Sequence, residues 1–226
     1  MLDTTFHLAW LIPLFPLAAF LVILVFEGRS PAVSRPIAVF GVLLSAVLIL
    51  FMFLEKMFAV LDGQPLFAET LVERWFALGS SAFPLGLYVD PLGLLLLAAL
   101  SVACPVIFIY SLSVIPYDAR CGRFFALLSL LAAALFSVFV FDGLLPVLIA
   151  WSGVDVCAYL LVTFRRRQPA SRGGLWVFLL PWAGNLSLLL GLALLHAAVG
   201  SSAYVDAFSR QSLAALLQMD VLGLPA

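Results

Sequence analysis

The chain has 226 residues, of which 65% are hydrophobic and 10% charged, with a mean hydropathy of +1.21 and a formal net charge of −1. A soluble domain carries about 25% charged residues to face water, so this composition excludes a cytosolic enzyme, a secreted disulfide scaffold and a disordered tail and places the chain in a membrane. The balance of 11 basic against 12 acidic residues gives no footing for a nucleic-acid partner.

Crossing about 30 Å of hydrocarbon takes about 20 apolar residues in a helix. Six segments approach or exceed that length: Ala9 to Phe26, Pro36 to Leu54, Pro91 to Val114, Phe124 to Phe141, Leu144 to Phe164 and Leu175 to Val199. Lipid offers no hydrogen-bond partners, and none of the six alternates as a barrel strand does, so each is expected to be a helix. The predicted fold is all-α and polytopic. The first segment lacks a basic residue before its apolar run and a small-residue cleavage site before Glu27, so it does not read as a cleavable signal peptide. Pro13, Pro16, Pro105, Pro146 and Pro181 fall within spans and are read as packing kinks. The connection from about Glu55 to Asp90 is the longest; with Trp75 and several phenylalanines among polar residues, it is expected to pack on the membrane surface. After Gly200, the stretch Ala203 to Met219 sets Val205, Phe208, Leu213, Leu216 and Leu217 on one stripe, the pattern of an interfacial helix or of a linker into a further span.

Charge supplies the orientation. Arg29 and Arg35, then Arg120 and Arg123, then Arg165, Arg166, Arg167 and Arg172 account for eight of the 11 basic residues, and alternation of six helices puts all of them on one side. That side is cytoplasmic by the positive-inside rule. Both termini, the Glu55 to Asp90 connection and Asp142 fall on the other side, with nine of the 12 acidic residues. The expected location is the inner (plasma) membrane, with multiple passes and contacts to the lipid bilayer.

Within the spans, Asp155 is the one fully charged group placed deep, about eleven residues into the fifth helix. A central carboxylate costs about 2.5 to 3.5 kcal/mol on insertion scales, so the sequence predicts a neutral acid held ready to accept or pass a proton. The alternative is a neutral Asp155 that hydrogen-bonds a neighbouring carbonyl or faces a polar cleft without moving anything. His196 sits near the outer end of the sixth helix, where a histidine is more often an interface residue than a ligand; His7 lies outside the core, so the two do not form a metal site. Cys104, Cys121 and Cys157 have no ligand spacing and read as small hydrophobes. No phosphate loop, haem attachment motif or nucleophile elbow is present, and no cofactor, metal or catalytic residue is expected in the chain itself. Trp10, Trp151, Trp176 and Trp182 read as belt or packing residues, and Arg165 to Arg167 as a stop-transfer and anionic-lipid contact.

Several of these residues come in an order that resembles a known family. Trp10-Leu11-Ile12-Pro13-Leu14-Phe15-Pro16-Leu17, Leu87-Tyr88-Val89-Asp90-Pro91-Leu92, Ile109-Tyr110-Ser111, Asp118, Arg123-Phe124-Phe125-Ala126 and the run from Trp151 to Phe164 are similar, in sequence order, to the N-terminal part of the antiporter-like membrane subunits. These are the L-type subunit of proton-translocating NADH:quinone oxidoreductase and its relatives in Mrp antiporters, membrane-bound hydrogenases and inorganic-carbon uptake systems. The resemblance implies residues 1–86 as two leading helices with an outer loop, 87–199 as the start of the antiporter-like core, and 200–226 as an amphipathic segment. It implies other membrane subunits of an ion-translocating complex as partners.

The departures fall on charge. The family's fifth helix carries a glutamate of the proton path where this chain has Ser152, while Trp151, Val154, Cys157, Tyr159, Leu160, Leu161 and Phe164 match. In the sixth helix a lysine is replaced by Trp176, an arginine by Trp182 and an acidic residue by Asn185, with Phe178 and Gly184 kept. Asp155 stands where the family has glycine, three residues after Ser152 on the same helix face. The resemblance therefore makes Asp155, Ser152, Asn185 and His196 the proton-path candidates, with the carboxylate displaced by a turn. Family members are about fourteen to sixteen helices long and contain inverted five-helix repeats, each with a broken helix and a central lysine; the six spans of this chain do not reach them, which implies a flank that needs a partner.

Three readings stay open at this level. The chain is a membrane subunit of an antiporter-like proton- or cation-translocating complex; or a structural subunit whose proton-path residues have decayed and which anchors a partner; or the membrane partner of a bicarbonate or CO2 uptake protein. Any enzymatic role is that of a subunit in a proton-translocating NADH:quinone oxidoreductase, with the redox chemistry on other chains.

Overall fold

The computed structural model describes residues 8–26, 31–62, 69–78, 81–115, 121–164, 172–199, 220–221 and 224–225. The helices are α1 (Leu11–Val25), α2 (Pro31–Leu61), α3 (Pro91–Val114), α4 (Cys121–Val140), α5 (Leu144–Phe164) and α6 (Arg172–Val199). Five of them, α2 to α6, are long and apolar enough to cross a membrane, and α1 is a shorter apolar helix of 15 residues. The chain is a multi-pass helical membrane protein.

α4 forms the centre. It packs against α1, α2, α3 and α5, and half of the residues in its apolar window are buried against 11% for α5 and 11% for α6. Its stripe of Phe125, Ser129, Ala132 and Phe136 lies buried with Ile12, Ile23, Ile49, Leu97 and Phe108 from the surrounding helices. α6 packs substantially against α5 alone among the described elements, so most of its circumference faces outward. An apolar exterior is what a helix bundle in lipid requires, since burying Leu against Leu gains little over Leu against acyl chains.

Small residues set the closest approaches. Gly41 on α2 lies so near α1 that a Cβ there would meet Ala19 Cβ at 2.8 Å and the Phe15 carbonyl oxygen at 3.1 Å. Ser45 of α2 donates its hydroxyl to the Ile12 carbonyl at 2.7 Å, a bond between helices four residues further along. Nearer the N-terminal end of α2, Arg35 donates Nε to Cys121 Sγ at 3.2 Å and Nη2 to the Ile115 carbonyl at 2.7 Å, tying the end of α3 and the start of α4 to one guanidinium.

Pro13 and Pro146 fall in the first turns of α1 and α5, where the absent N–H has no intrahelical partner to lose. Pro16, Pro105 and Pro181 lie inside their helices, and Pro36 inside α2, which runs from Pro31 and continues to Leu61, beyond the predicted span at both ends.

The Glu55 to Asp90 connection, expected as a surface loop, contains an antiparallel hairpin of β1 (Glu69–Leu78) and β2 (Ser81–Val89) with a register irregularity between Arg74 and Phe76. β2 also pairs with β3 (Phe141–Asp142) between α4 and α5, placing Gly86 opposite Asp142 and Leu87 opposite Phe141. This third strand ties the hairpin to one end of the bundle, and Asp142 there is fully buried. Gly143, with φ 96°, makes the reversal from β3 into α5 that a side chain would oppose. Asp90 then starts α3: its Oδ1 accepts from the Gly93 N–H at 2.8 Å, and Pro91 occupies the first helical position. Two short strands, β4 (Asp220–Val221) and β5 (Leu224–Pro225), pair near the C-terminus. The predicted amphipathic stretch Ala203 to Met219 lies outside the described residues.

Candidate functional site

The site is built where α5 meets α6. Asn185 is 7% exposed on α6, and its Nδ2 donates to Asp155 Oδ2 on α5 at 2.8 Å. Both partners lie within candidate membrane spans, Leu144–Phe164 and Phe178–Ala197. The bond joins two of the four residues singled out in the sequence. Glycine at 184 lets α6 pass this point with open space on its outer side, since a Cβ there would have nothing within 4 Å.

Ser152, on the same face of α5, donates its hydroxyl to the Leu148 carbonyl at 2.8 Å. This back-bond to the previous turn is the usual way a serine satisfies itself in an apolar helix. His196 is half-buried in the last turn of α6, eleven residues beyond Asn185 and so about 16 Å further along the axis. The structure thus unites Asp155 with Asn185, leaves Ser152 occupied within its own helix and sets His196 toward the far end.

Aromatic rings close one side of the pair. Tyr159, one turn from Asp155 on α5, lies 5.1 Å ring to ring from Phe178 of α6, and Phe178 lies 5.3 Å from Trp182. The stack occupies the half of the α5–α6 seam nearer the Arg165 to Arg172 connection. Each residue was visible in the sequence as a match or a replacement, and the i, i+4 spacing of Asp155 and Tyr159 was the signal that they share a face. Phe124 of α4 adds a second ring contact at that end, 5.7 Å from Phe164 of α5. On the other side of the pair, α5 and α6 leave an apolar cleft of about 470 Å³ whose inner end is marked by Trp151 and Ser187. α5 is seated on α4 through Gly153, where a Cβ would lie 3.6 Å from Ala134 Cβ.

Chemically, the arrangement is one carboxyl and one carboxamide with apolar walls. The amide both donates and accepts, so it can hold a carboxylate through Nδ2–H or a carboxylic acid through its oxygen. The α5–α6 link is therefore compatible with either protonation state of Asp155. Among the described residues, no group of three His, Cys, Asp or Glu side chains is gathered as a metal site.

Comparison with known proteins agrees with this architecture. The family model for the transmembrane region of NADH:quinone oxidoreductase and Mrp antiporter subunits matches residues 142–223, which begin at β3 and include α5 and α6. The chain is 28% identical over 214 residues to the chloroplastic NAD(P)H-quinone oxidoreductase subunit 5 of Physcomitrium patens, covering 92% of this chain and 29% of that protein. It is 27% identical over 221 residues to the probable inorganic carbon transporter subunit DabB1 of Halothiobacillus neapolitanus, covering 97% of this chain and 37% of that one. Its fold is similar to a chain of the membrane-bound sulfane sulfur reductase, an archaeal respiratory membrane complex, with a TM-score of 0.73 at 14% identity over 91% of this chain and 40% of that chain. The chain thus spans about a third of the length of the curated relatives it matches. In sequence along most of its length, and in fold, the chain is thus similar to antiporter-like membrane subunits.

Proposed function

We propose that the chain is a membrane subunit of an antiporter-like, ion-translocating complex, and that Asp155, held by Asn185, is its protonatable group within the membrane. The observation that carries this reading is the 2.8 Å bond between the two residues inside adjacent spans. A carboxyl at that depth is costly unless it is partnered, and an amide partner holds it without a fixed positive charge that would pin it ionised. In this reading residues 1–86 supply the leading helices and hairpin, 87–199 the core that carries the pair, and the arginine-rich connections face the cytoplasm from a plasma membrane. Other membrane subunits complete the assembly. Ser152 and His196 lie on the same two helices as the pair, both toward the end away from the Arg165 to Arg172 connection, and serve as further steps on that side of it.

A second reading, a subunit that anchors partners without moving ions, is favoured by a different observation. The pair has an aromatic stack on one side and a cleft lined mainly by leucine and valine on the other, and Ser152 is already satisfied by its own helix. Proton uptake by vesicles containing the whole complex separates the two readings. Asp155→Asn is expected to abolish the uptake that depends on this subunit while Asp155→Glu retains it; full uptake with Asp155→Asn returns the subunit to the anchoring role. Assembly is checked in parallel by the subunit content of the purified complex.

A further inference from the structure

The bond between Asp155 and Asn185 uses only half of what the two side chains can offer. Among the described residues it is the one side-chain hydrogen bond that either of them makes, Nδ2 of Asn185 donating to Oδ2 of Asp155. The other carboxyl oxygen and the amide oxygen are left over, each one carbon away from an atom of that bond. While Asp155 is ionised both of these are acceptors, and no bond can form between them. A protonated carboxyl differs, because it carries an O–H donor beside its carbonyl oxygen just as the amide carries N–H beside its own. The two groups then match donor to acceptor at both positions. The torsion that aligns them is χ2 of each side chain, which is broad and roughly two-fold.

The surroundings leave this match as the best use of the proton. Ser152 gives its hydroxyl to the Leu148 carbonyl, the rings of Tyr159, Phe178 and Trp182 lie toward one end of the seam, and the apolar cleft lies toward the other. The titratable and charged groups on the described elements packed around the pair are Cys157 and Tyr159 of α5 itself, Arg123 at the start of α4, Asp142 of β3, and Arg172 and His196 at the ends of α6. Cys157 is two residues from Asp155, on the opposite side of α5 and 1% exposed, and the Tyr159 ring lies against Phe178. The other four stand eleven or more residues, about 16 Å or more, along their elements from the level of the pair. Among the described residues no charge at that level competes for the carboxyl, and an O–H without an acceptor in apolar surroundings is costly.

We infer that Asp155, when protonated, closes with Asn185 into a ring of two hydrogen bonds: Oδ1–H of Asp155 donates to Oδ1 of Asn185 while Nδ2–H of Asn185 still donates to Oδ2 of Asp155. Asn185 is then the positioning residue for the proton, and the ring selects a proton over an alkali cation, which has no hydrogen to give. When the proton leaves Oδ1 the second bond is lost and the first remains, so α5 and α6 stay linked in both states. This deepens the proposed function and rests on the reading of Asp155 as the protonatable group.

Asn185 is the one asparagine among the 226 residues, so carbon-13 at the asparagine side-chain carbonyl labels this amide alone. The test is isotope-edited infrared difference spectroscopy of the full chain in phospholipid vesicles, titrated from alkaline to acid pH. An acid carbonyl band of Asp155, identified by its loss in Asp155→Leu, is expected to appear on the acid side. The labelled amide band is expected to move to lower wavenumber with the same midpoint, because its oxygen becomes an acceptor. Asn185→Leu is expected to move the Asp155 acid band to higher wavenumber, and Asn185→Gln to restore it in part. Circular dichroism checks helicity; should Asn185→Leu unfold, the labelled wild type still decides, since the amide shift is read without a change at 185. An acid band that appears while the labelled amide stays in place overturns the ring and leaves Asp155 as the protonatable group. Absence of an Asp155 acid band at every pH overturns both. An amide band that shifts with sodium at constant pH, and not with pH, overturns the ring and assigns the two oxygens to a cation.

Discussion

The side-chain amide of Asn185 donates to Oδ2 of Asp155 across 2.8 Å, joining α6 to α5 within two candidate membrane spans. The resemblance read from the sequence implies a glutamate at the position of Ser152 and an acidic residue at that of Asn185. Here Asp155 contributes a carboxyl one turn further along α5 and position 185 contributes an uncharged amide facing it. The hydrogen bond makes the two departures a single arrangement.

That arrangement has a measurable energy. Hydrogen bonds between helices in a membrane contribute about 0.6 kcal/mol on average and up to about 1.7 kcal/mol, because the separated helices find other partners. Asp155→Leu, Asn185→Leu and the double variant form a cycle whose coupling energy, read from detergent-induced unfolding, is expected in that range. The single variants should each cost more than the double variant implies by addition, because each leaves one polar group stranded. A coupling energy indistinguishable from zero would remove the bond, and with it the structural basis of the site.

The start of α3 gives a second prediction. Asp90 accepts from the Gly93 N–H at 2.8 Å, and a Cβ on residue 93 would lie 2.5 Å from the same carboxylate oxygen. The cap and the glycine therefore require one another. Asp90→Ala is expected to cost about 1 kcal/mol and Asp90→Asn much less, since asparagine caps as well as aspartate. Gly93→Ala should cost at least as much as Asp90→Ala, by displacing the capping side chain. Thermal unfolding of the purified chain measures all three, and a neutral Gly93→Ala would contradict the close approach.

The spans were legible because their apolar runs are long and bounded by charge or turn formers, and lipid permits one backbone solution for such runs. The start of α3 at Pro91 was legible as the beginning of such a run, whereas the Asp90 cap on the Gly93 N–H came from the structure. The hairpin of β1 and β2 was not, because its strands are fixed by pairing between Glu69 and Val89 and by the addition of β3 from beyond α4, a partner more than fifty residues away in the chain. Asp155 stood out as a deep charge, but its partner could not be chosen from spacing. Asn185 is thirty residues away on another helix, and the i, i+3 rule that links Asp155 to Ser152 speaks only within a helix. The cleft was invisible for a related reason, since a space between two helices depends on where their contact ends rather than on either sequence.

Arg35 carries the third prediction. Its guanidinium reaches Cys121 Sγ and the Ile115 carbonyl together, a fork that a lysine cannot reproduce. Arg35→Leu is expected to destabilise the chain by about 1.5 to 3 kcal/mol, the range for hydrogen bonds to a charged group. Arg35→Lys should recover only part of this. Cys121→Ser keeps an acceptor in place of the sulfur and should be tolerated better than Cys121→Val, which removes it. If Cys121→Val and Cys121→Ser unfold at the same denaturant concentration, the sulfur contact contributes nothing.

Gly41 tests how closely α1 and α2 are packed. With Ala19 Cβ only 2.8 Å from the point where a Cβ would be, Gly41→Ala must move one helix or the other. Overpacking of a core costs about 1 to 3 kcal/mol, which exceeds the roughly 1 kcal/mol by which alanine is the better helix former. Net destabilisation is therefore expected despite the gain in helix propensity. Ala19→Gly removes the nearest atom but leaves the Phe15 carbonyl oxygen at 3.1 Å, so the double variant should recover part of the loss. Neighbours that share one space are non-additive, and the two substitutions should show a coupling of the sign that relieves a clash. Detergent-induced unfolding of the two single variants and the double variant decides the matter. A Gly41→Ala chain as stable as the wild type, or a double variant that simply adds the two single effects, would mean that α1 and α2 are not held at this distance.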